Sequence, residues 1–362
     1  MSAPAAPLPF RSETISCSRR DLLGGLLLAG LLGGCASVEP TPAAPLVIPV
    51  FPPPPAPARY VWERTLRSSA DVEVEDGETR LRRMVTGELR TAAGLAKPYG
   101  IAVQRGQVYV GDTVQRQVLH FDLVRGRFER IGLEEPGALV MPFGLALDAL
   151  GRLHVLDGST RAVQIYDAEG RHLRTFGPYA DWSRPAGLAL DVRHGRLYIA
   201  DAGGVGSERH VVHVLDLASG RPLPDLGRRG DQPGEFNLPR DVAVAPDGTL
   251  YVVDSGNFRI QAFRPDGSLL RGFGSIGRQG GQFSRPKGIA VDAQGRVYVA
   301  DAAFGNVQIF DGDGQLLLDV GYRGARDDPA RFMLPAGVGV DLDGRIYLVD
   351  QYYRKVEVFR PA

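Results

Sequence analysis

Residues 286–311 read PKGIAVDAQGRVYVADAAFGNVQIFD, and this stretch decides the fold. The run Gly288–Val291 is short and apolar on both faces, which is typical of a strand packed between neighbouring sheets. Gly295 supplies the positive φ of a tight hairpin turn. The next run ends in Asp301, whose carboxylate can cap the following turn by accepting backbone N–H groups. The stretch therefore predicts three antiparallel strands, the last ending in the aromatic Phe310.

The same landmarks recur six times along the chain. Aspartates lie 44 to 53 residues apart, a period that suits propeller blades, at Asp112, Asp157, Asp201, Asp254, Asp301 and Asp350. A glycine precedes each by six residues, at Gly106, Gly151, Gly195, Gly248, Gly295 and Gly344. A proline precedes each by 14 to 16 residues, at Pro98, Pro142, Pro185, Pro239, Pro286 and Pro335. Further runs such as 173–176 and 269–273 predict a fourth strand in each unit.

The combined pattern resembles the NHL repeat, in the form Pro-x-Gly-Ile-Ala-Val-Asp, Val-Tyr-Val-Ala-Asp and Val-Gln-Ile-Phe-Asp written across 286–311. The resemblance covers about residues 94–362. It implies an all-β fold, a six-bladed β-propeller. WD40 and kelch blades have similar periods, but Trp62 and Trp182 are the only tryptophans, so no Trp-Asp signature recurs.

The sixth repeat stops before its fourth strand, which would leave an open sheet edge. Residues 59–66, RYVWERTL, are the available strand, and we expect them to close the ring. The closing strand belongs to a segment, residues 59–93, that precedes the first blade. After residue 66, apolar residues of this segment recur at helical spacing, which predicts one short helix packed on the propeller. These residues are Leu81, Met84, Val85 and Leu89. The acidic stretch 71–78 is expected to be a solvated loop.

The N-terminal residues 1–34 have the pattern of a bacterial signal peptide, and their apolar run is too short to span a bilayer. Arg19 and Arg20, followed by Asp-Leu-Leu, resemble the twin-arginine export signal, although two arginines also suit an ordinary Sec signal. Leu32–Cys35 resembles a lipobox, which implies a lipid on Cys35. An ordinary signal peptide with a chance cysteine is the alternative. Cys17 lies in the part that would be removed, so no disulfide is expected.

Residues 35–58 are expected to form a lipidated tether. Proline and alanine dominate residues 39–58, a composition that favours extended polyproline II spanning roughly 60 Å. By resemblance to lipoprotein sorting, a residue other than aspartate at position 36 favours the outer membrane. We therefore expect a lipoprotein of the bacterial cell envelope, attached to the membrane through its lipid.

Charge and histidine placement exclude several functions. Lysine plus arginine and aspartate plus glutamate both total 42, so composition gives no net attraction to nucleic acid, and no nucleic-acid partner is expected. The peptide amidating lyases share this propeller and ligate zinc with histidines on the inner strands. By resemblance to such propellers, the residue after each proline is expected to point to the axis, and none of these six residues is a histidine: Tyr99, Phe143, Ala186, Arg240, Lys287 and Ala336. Neither a zinc site nor any cofactor besides the lipid is expected.

The six aspartates could be read as a calcium ring, but a residue needed in every blade is more simply explained as part of the blade. Two functions remain. The first is a binding or scaffolding module for a protein or glycan partner, using the face that bears Tyr99, Phe143, Arg240 and Lys287, since aromatics and arginine are frequent interface hot spots. The second is a metal-dependent lyase or hydrolase with its site at the axis. A five-residue insertion at 203–208 is expected toward the opposite end of the second strand.

Overall fold

The computed structural model describes residues 47–73, 77–86, 92–204 and 206–362. Two short strands open the described part, β1 (Val50–Phe51) and β2 (Tyr60–Leu66). They are followed by the 3-10 turn Ser69–Asp71 and by the helix α1 (Gly77–Thr86). No helix within these ranges is long and apolar enough to cross a membrane.

Five four-stranded antiparallel sheets follow, each with its strands in chain order. Blade 1 is β3 (Pro98–Gln104), β4 (Gln107–Asp112), β5 (Gln117–Asp122) and β6 (Arg127–Ile131). Blade 2 is β7 (Pro142–Leu147), β8 (Leu153–Asp157), β9 (Ala162–Tyr166) and β10 (His172–Phe176). Blade 3 is β11 (Pro185–Asp191), β12 (Arg196–Asp201), β13 (Val211–Asp216) and β14 (Pro222–Leu226).

Blade 4 is β15 (Pro239–Val244), β16 (Leu250–Asp254), the 3-10 turn Ser255–Asn257, β17 (Arg259–Phe263) and β18 (Leu269–Phe273). Blade 5 is β19 (Pro286–Val291), β20 (Val297–Asp301), β21 (Asn306–Phe310) and β22 (Leu316–Val320). A short parallel pair, β23 (Tyr322–Arg323) and β24 (Arg331–Phe332), precedes blade 6, which contains β25 (Pro335–Val340), β26 (Ile346–Asp350) and β27 (Lys355–Pro361).

The first strands of the six blades contact one another in a closed ring, in the order β3, β7, β11, β15, β19, β25 and back to β3. Apolar side chains of adjoining blades pack between them, as when Tyr109 and Val118 of blade 1 meet Val155 and Tyr166 of blade 2. The predicted six-bladed β-propeller is therefore confirmed.

The repeat aspartates have the structural role that the sequence predicts. Asp112 is fully buried, and its Oδ1 accepts hydrogen bonds from the N–H groups of Val114 and Gln115 at 3.1 and 2.9 Å. Its Oδ2 accepts from Ala96 and Lys97, in the linker that leads into the same blade, at 2.6 and 2.9 Å. Backbone donors thus occupy both oxygens, and each such aspartate ties a loop to its own blade's first strand.

The closing strand is also confirmed. β2 pairs antiparallel with β27, from Tyr60 opposite Pro361 to Leu66 opposite Val356, and completes blade 6. However, the linker prediction for residues 35–58 was wrong at its C-terminal end. Val50–Phe51 forms a fifth strand on β2, and the Phe51 ring is 1% exposed, 5.7 Å from that of Phe359. The apolar pair docks because β2 still offers an unpaired edge and an apolar surface lies beneath it.

The predicted short helix exists, but the prediction that it packs on the propeller was wrong. Leu81, Met84 and Val85 of α1 are 63%, 67% and 79% exposed, and Leu89 lies outside the described residues. Helical spacing predicts which side chains share a face, but it does not provide a surface to bury that face. Asp71, expected in a solvated loop, instead caps a turn by accepting from the N–H groups of Arg67 and Ser68.

Candidate binding site at the propeller axis

A small cavity of about 50 Å³ opens at the end of the axis where the prolines begin the inner strands, which we call the proline face. All six residues that follow these prolines line it: Tyr99, Phe143, Ala186, Arg240, Lys287 and Ala336. The prediction that these positions face the axis is confirmed. Their role in partner binding stays a prediction.

A backbone irregularity positions these side chains. Pro98 pairs with Asp112, and the register of β3 then shifts before Ile101; the same shift follows the proline in the other five blades. Such a β-bulge leaves the residue after the proline out of the regular ladder and re-aims its side chain. The sequence therefore positions one variable side chain per blade at the mouth of the axis.

The ring order gives these residues a two-sided arrangement. Blade 1 lies across the axis from blade 4 and blade 2 from blade 5, so Tyr99 faces the side of Arg240 and Phe143 the side of Lys287. The Tyr99 and Phe143 rings lie side by side, with centroids 4.9 Å apart. The two alanines occupy blades 3 and 6. One half of the mouth is thus aromatic and the other half cationic.

The next residue along each inner strand is glycine in five blades, because neighbouring backbones approach closely there. A Cβ added to Gly100 would come within 1.9 Å of the Phe143 carbonyl oxygen, and one added to Gly337 within 2.6 Å of the Tyr99 carbonyl oxygen. Blade 4 has Asp241 at this position. A Cβ on Gly187 would lie 2.4 Å from Asp241 Oδ1, so the aspartate side chain occupies space that glycine leaves open.

Asp241 is the one acidic side chain that lines the cavity. Its Oδ1 accepts from its neighbour Val242 N–H at 3.0 Å and its Oδ2 from Ile289 N–H of blade 5 at 3.1 Å. Burial outweighs these hydrogen bonds and raises the pKa of Asp241 to about 7. Sequence reasoning missed this residue. The signal that could have found it was Pro-Arg-Asp in the one repeat that departs from Pro-x-Gly.

The cations at the mouth form no ion pair with a carboxylate of the described residues. Lys287 Nζ donates to Gln351 Oε1 at 3.2 Å, and neither Lys287 nor Arg240 forms an ion pair within the described ranges. Burial, together with the charges of Arg240 and Arg285, lowers the pKa of Lys287 to about 8. Burial also raises the pKa of Tyr99, and the positive charge of the neighbouring Arg240 partly offsets this rise. Two cations thus share this end of the axis without a paired carboxylate in the described ranges, and the nearby Asp350 charge only partly offsets the lowering of the Lys287 pKa.

Further cations surround the mouth. Lys97, Arg184 and Arg285 immediately precede the prolines of blades 1, 3 and 5, and all three are exposed. Their positive charges lower the pKa values of groups in the cavity. Lys97 and Arg285 act in this way on Lys287, and Arg184 acts on Tyr99. A locally basic centre thus exists in a chain of zero formal net charge.

The insertion at 203–208 lies on the same face, so its predicted location was wrong. Pro185 pairs with Asp201, which places the end of β12 beside the start of β11. Arg209, just after the insertion, pairs with Asp181 at 3.2 Å and Asp225 at 2.7 Å. An inner strand and its antiparallel neighbour run in opposite directions, so the end of one adjoins the start of the other.

The histidines lie away from the axis, on the second, third and fourth strands of the blades and in loops. His120 stacks on Tyr109 at 4.1 Å, and His194 Nδ1 lies 2.8 Å from Asp191 Oδ2. His213 lies between Asp201 and Asp225, and His210 Nδ1 accepts from Leu238 N–H. Within the part of the chain that the structure describes, no three histidine, cysteine or acidic residues are placed to hold a metal ion.

Comparison with known proteins agrees with this architecture. A family model described as NHL repeat matches residues 236–263 and 283–310, in blades 4 and 5. The RING finger protein nhl-1 of Caenorhabditis elegans is 40% identical over 57 residues, which is 16% of this chain and 6% of that protein. The same organism's "Probable peptidyl-alpha-hydroxyglycine alpha-amidating lyase pgal-1" is 29% identical over 116 residues, 31% of each chain. The chain thus matches under a third of either relative.

A solved gluconolactonase from Xanthomonas campestris has a similar fold, with a TM-score of 0.58 and 21% identity. The match covers 83% of this chain and 98% of that one. At this identity the likeness concerns the fold alone. The chain carries NHL repeats at residues 236–263 and 283–310 and folds as a six-bladed β-propeller.

Proposed function

We propose that this NHL-repeat propeller is a non-catalytic binding or scaffolding module whose proline face engages a protein or glycan partner. One observation carries the proposal: at the axis, Tyr99 and Phe143 lie side by side opposite Arg240 and Lys287, two cations without ion-pair partners in the described residues. Aromatic and arginine side chains at the centre of a face are frequent hot spots, because they bury much area while losing little conformational freedom.

The residues at the axis fit a metal-dependent lyase or hydrolase less well. A zinc site needs three or four converging nitrogen, sulfur or oxygen ligands, and the cavity lining supplies one carboxylate, Asp241, and no histidine. Asp241 is the group that an enzymatic alternative would use, as an acid or base with a pKa near neutrality. Metal analysis of the purified protein after dialysis tests this alternative, which stoichiometric zinc or calcium would favour.

The proposal places the module in the bacterial cell envelope, as an outer-membrane lipoprotein anchored through Cys35 and exported through a signal containing Arg19 and Arg20. These three residues lie outside the described ranges. Sequence features support this part of the proposal, namely the lipobox-like residues 32–35 and the proline-rich stretch behind them. Ile48 already belongs to the compact unit that contains the propeller, so the proposed tether ends before residue 48 and not at residue 58.

A pulldown from solubilised envelope tests the binding proposal. The variant Tyr99→Ala/Phe143→Ala/Arg240→Ala/Lys287→Ala should remain folded and lose its partner, at about 2 kcal/mol or more per hot spot. A matched control removes two exposed apolar side chains and two exposed cations from loops at the opposite end of the blades, as Val192→Ala/Arg193→Ala/Arg264→Ala/Leu342→Ala. Retention of every partner by the first variant would contradict the proposal.

A further inference from the structure

The axial cavity has very little room, and its two cations form no ion pair within the described residues. Arg240 and Lys287 line it, and Lys97, Arg184 and Arg285 surround its mouth. Asp241 is the one acidic residue in the lining. Its carboxylate accepts both of its hydrogen bonds from backbone N–H groups and none from a cation. Partly buried cations whose hydrogen-bond partners are neutral, Gln351 for Lys287 and Tyr99 for Arg240, are costly to retain, so a ligand that supplies negative charge would stabilise them.

We infer that this cavity binds a carboxylate group of a protein partner, held between Arg240 and Lys287. The inference rests on the proposed function and names the chemistry that the proline face recognises. A guanidinium matches the two oxygens of a carboxylate geometrically, and an ammonium adds a compact charge from the adjoining blade. The Tyr99 and Phe143 rings, across the axis, offer an apolar wall to the chain that carries the carboxylate.

The size of the cavity favours a small anionic group over a large ligand. A water molecule needs roughly 10–15 Å³ of such space, so about 50 Å³ admits a few heavy atoms. A carboxylate group fits this room, whereas a sugar ring or a nucleobase does not. A phosphate group carries more negative charge than a carboxylate, so ionised Asp241 would repel it more strongly.

Asp241 contributes to the same chemistry from within the cavity. In its ionised form it repels a second carboxylate, and in its protonated form it can donate a hydrogen bond to one. Replacing it by asparagine removes the repulsion and keeps an oxygen that can accept from Ile289 N–H. Asp241→Asn should therefore strengthen carboxylate binding severalfold, whereas a purely structural role for this residue predicts weaker binding or none.

Fluorescence anisotropy with three labelled octapeptides tests the inference on the purified full-length chain. The peptides share one background of alanine, serine and tyrosine. One carries a central glutamate and an amidated C-terminus, one a central glutamine and a free C-terminus, and one a central glutamine and an amidated C-terminus. We expect one or both carboxylate peptides to bind at least about tenfold more tightly than the third, and the stronger of the two identifies the source of the carboxylate.

Substitutions then locate the site. Arg240→Gln/Lys287→Gln should weaken carboxylate binding about tenfold or more, while Arg193→Gln/Arg264→Gln, which removes the same charge from exposed positions at the opposite end, should leave it unchanged. Circular dichroism at each step verifies folding, and Asp241→Asn supplies a change in the opposite direction that misfolding cannot mimic.

Three outcomes would overturn the inference: equal binding of all three peptides, equal affinities of the two double variants, or tighter binding of a single-stranded oligonucleotide than of either carboxylate peptide. If the quadruple alanine variant loses its envelope partner while the peptides do not discriminate, the binding function stands and the carboxylate assignment fails. If that variant keeps its partner, the proposed face itself is wrong.

Discussion

The Trp62 indole N–H donates a hydrogen bond to Glu357 Oε2 at 2.5 Å and thereby joins the closing strand to the last strand of the chain. Thr65 Oγ1 donates to the same oxygen at 2.8 Å, and Lys355 Nζ lies 2.5 Å from Glu357 Oε1. Glu357 and Lys355 are both fully buried. This buried carboxylate therefore adds side-chain hydrogen bonds to the backbone pairing of β2 with β27 that closes the ring.

Glu357→Ala should therefore lower the free energy of unfolding by about 3–5 kcal/mol, because it leaves the Lys355 ammonium buried with reduced compensation and removes the acceptor of Trp62 and Thr65. Urea unfolding measures the change. Glu169→Ala, at an exposed ion pair with Arg171, is the matched control and should change stability by less than about 1 kcal/mol. Similar losses in both variants would contradict this role of Glu357.

Truncations test closure directly. Deleting residues 36–47 should leave the melting temperature unchanged, since the compact unit begins at Ile48. Deleting through residue 57 should lower it, because the buried Phe51 is lost, and removing a core phenylalanine costs roughly 3–5 kcal/mol. Deleting through Leu66 should cause aggregation, because β27 would become an exposed edge. Equal melting temperatures for all three proteins would show that the N-terminal strands do not hold the ring closed.

His213 should make stability depend on pH in the alkaline range. It lies between Asp201 Oδ2 at 3.2 Å and Asp225 Oδ1 at 2.9 Å, and these carboxylates outweigh burial and raise its pKa to about 9. The unfolded value is roughly 6.5, so the stabilisation is fully present below that pH and is lost as pH rises through about 9. Blades 2, 4 and 5 have glutamine at the equivalent position, which makes His213→Gln a conservative variant.

Urea midpoints of the two proteins at pH 6.5, 7.5 and 9 provide the measurement. We expect the advantage of the parent over His213→Gln, on the order of 2–3 kcal/mol at pH 6.5, to shrink steadily toward pH 9. Gln308→Asn, at the equivalent position on β21, removes no titratable group and should show a difference that does not vary with pH. A constant difference for His213→Gln as well would show that the histidine is not held as a cation.

Cys35→Ser should release the protein from membranes or leave it unprocessed, because serine cannot carry the thioether-linked lipid that the lipobox-like residues predict. Membrane fractionation and labelled palmitate incorporation measure both effects. Cys17→Ser, within the segment predicted to be removed, is the control and should behave as the parent. Continued palmitate labelling of Cys35→Ser would contradict the assignment.

Much of the architecture could be read from local pattern. The spacing of proline, glycine and aspartate predicted the six blades and the residues at the axis, because each landmark acts within its own blade, as Asp112 does through hydrogen bonds to residues 96, 97, 114 and 115. The closing strand 60–66 was predictable for a related reason: a repeat that lacks one strand needs another to pair with its edge.

Other features depend on segments that are distant in sequence. Apolar spacing predicted the helix α1 but not its exposure, since no surface of the propeller covers Leu81 and Met84. The docking of Phe51 required the edge of β2 and the Phe359 ring. The sequence by itself determined the blades and which side chains face the axis, because turns and strands follow from near neighbours. Only the tertiary structure decided that Asp241, Arg240 and Lys287 share one cavity, because that depends on the closed ring that brings six separate strands together.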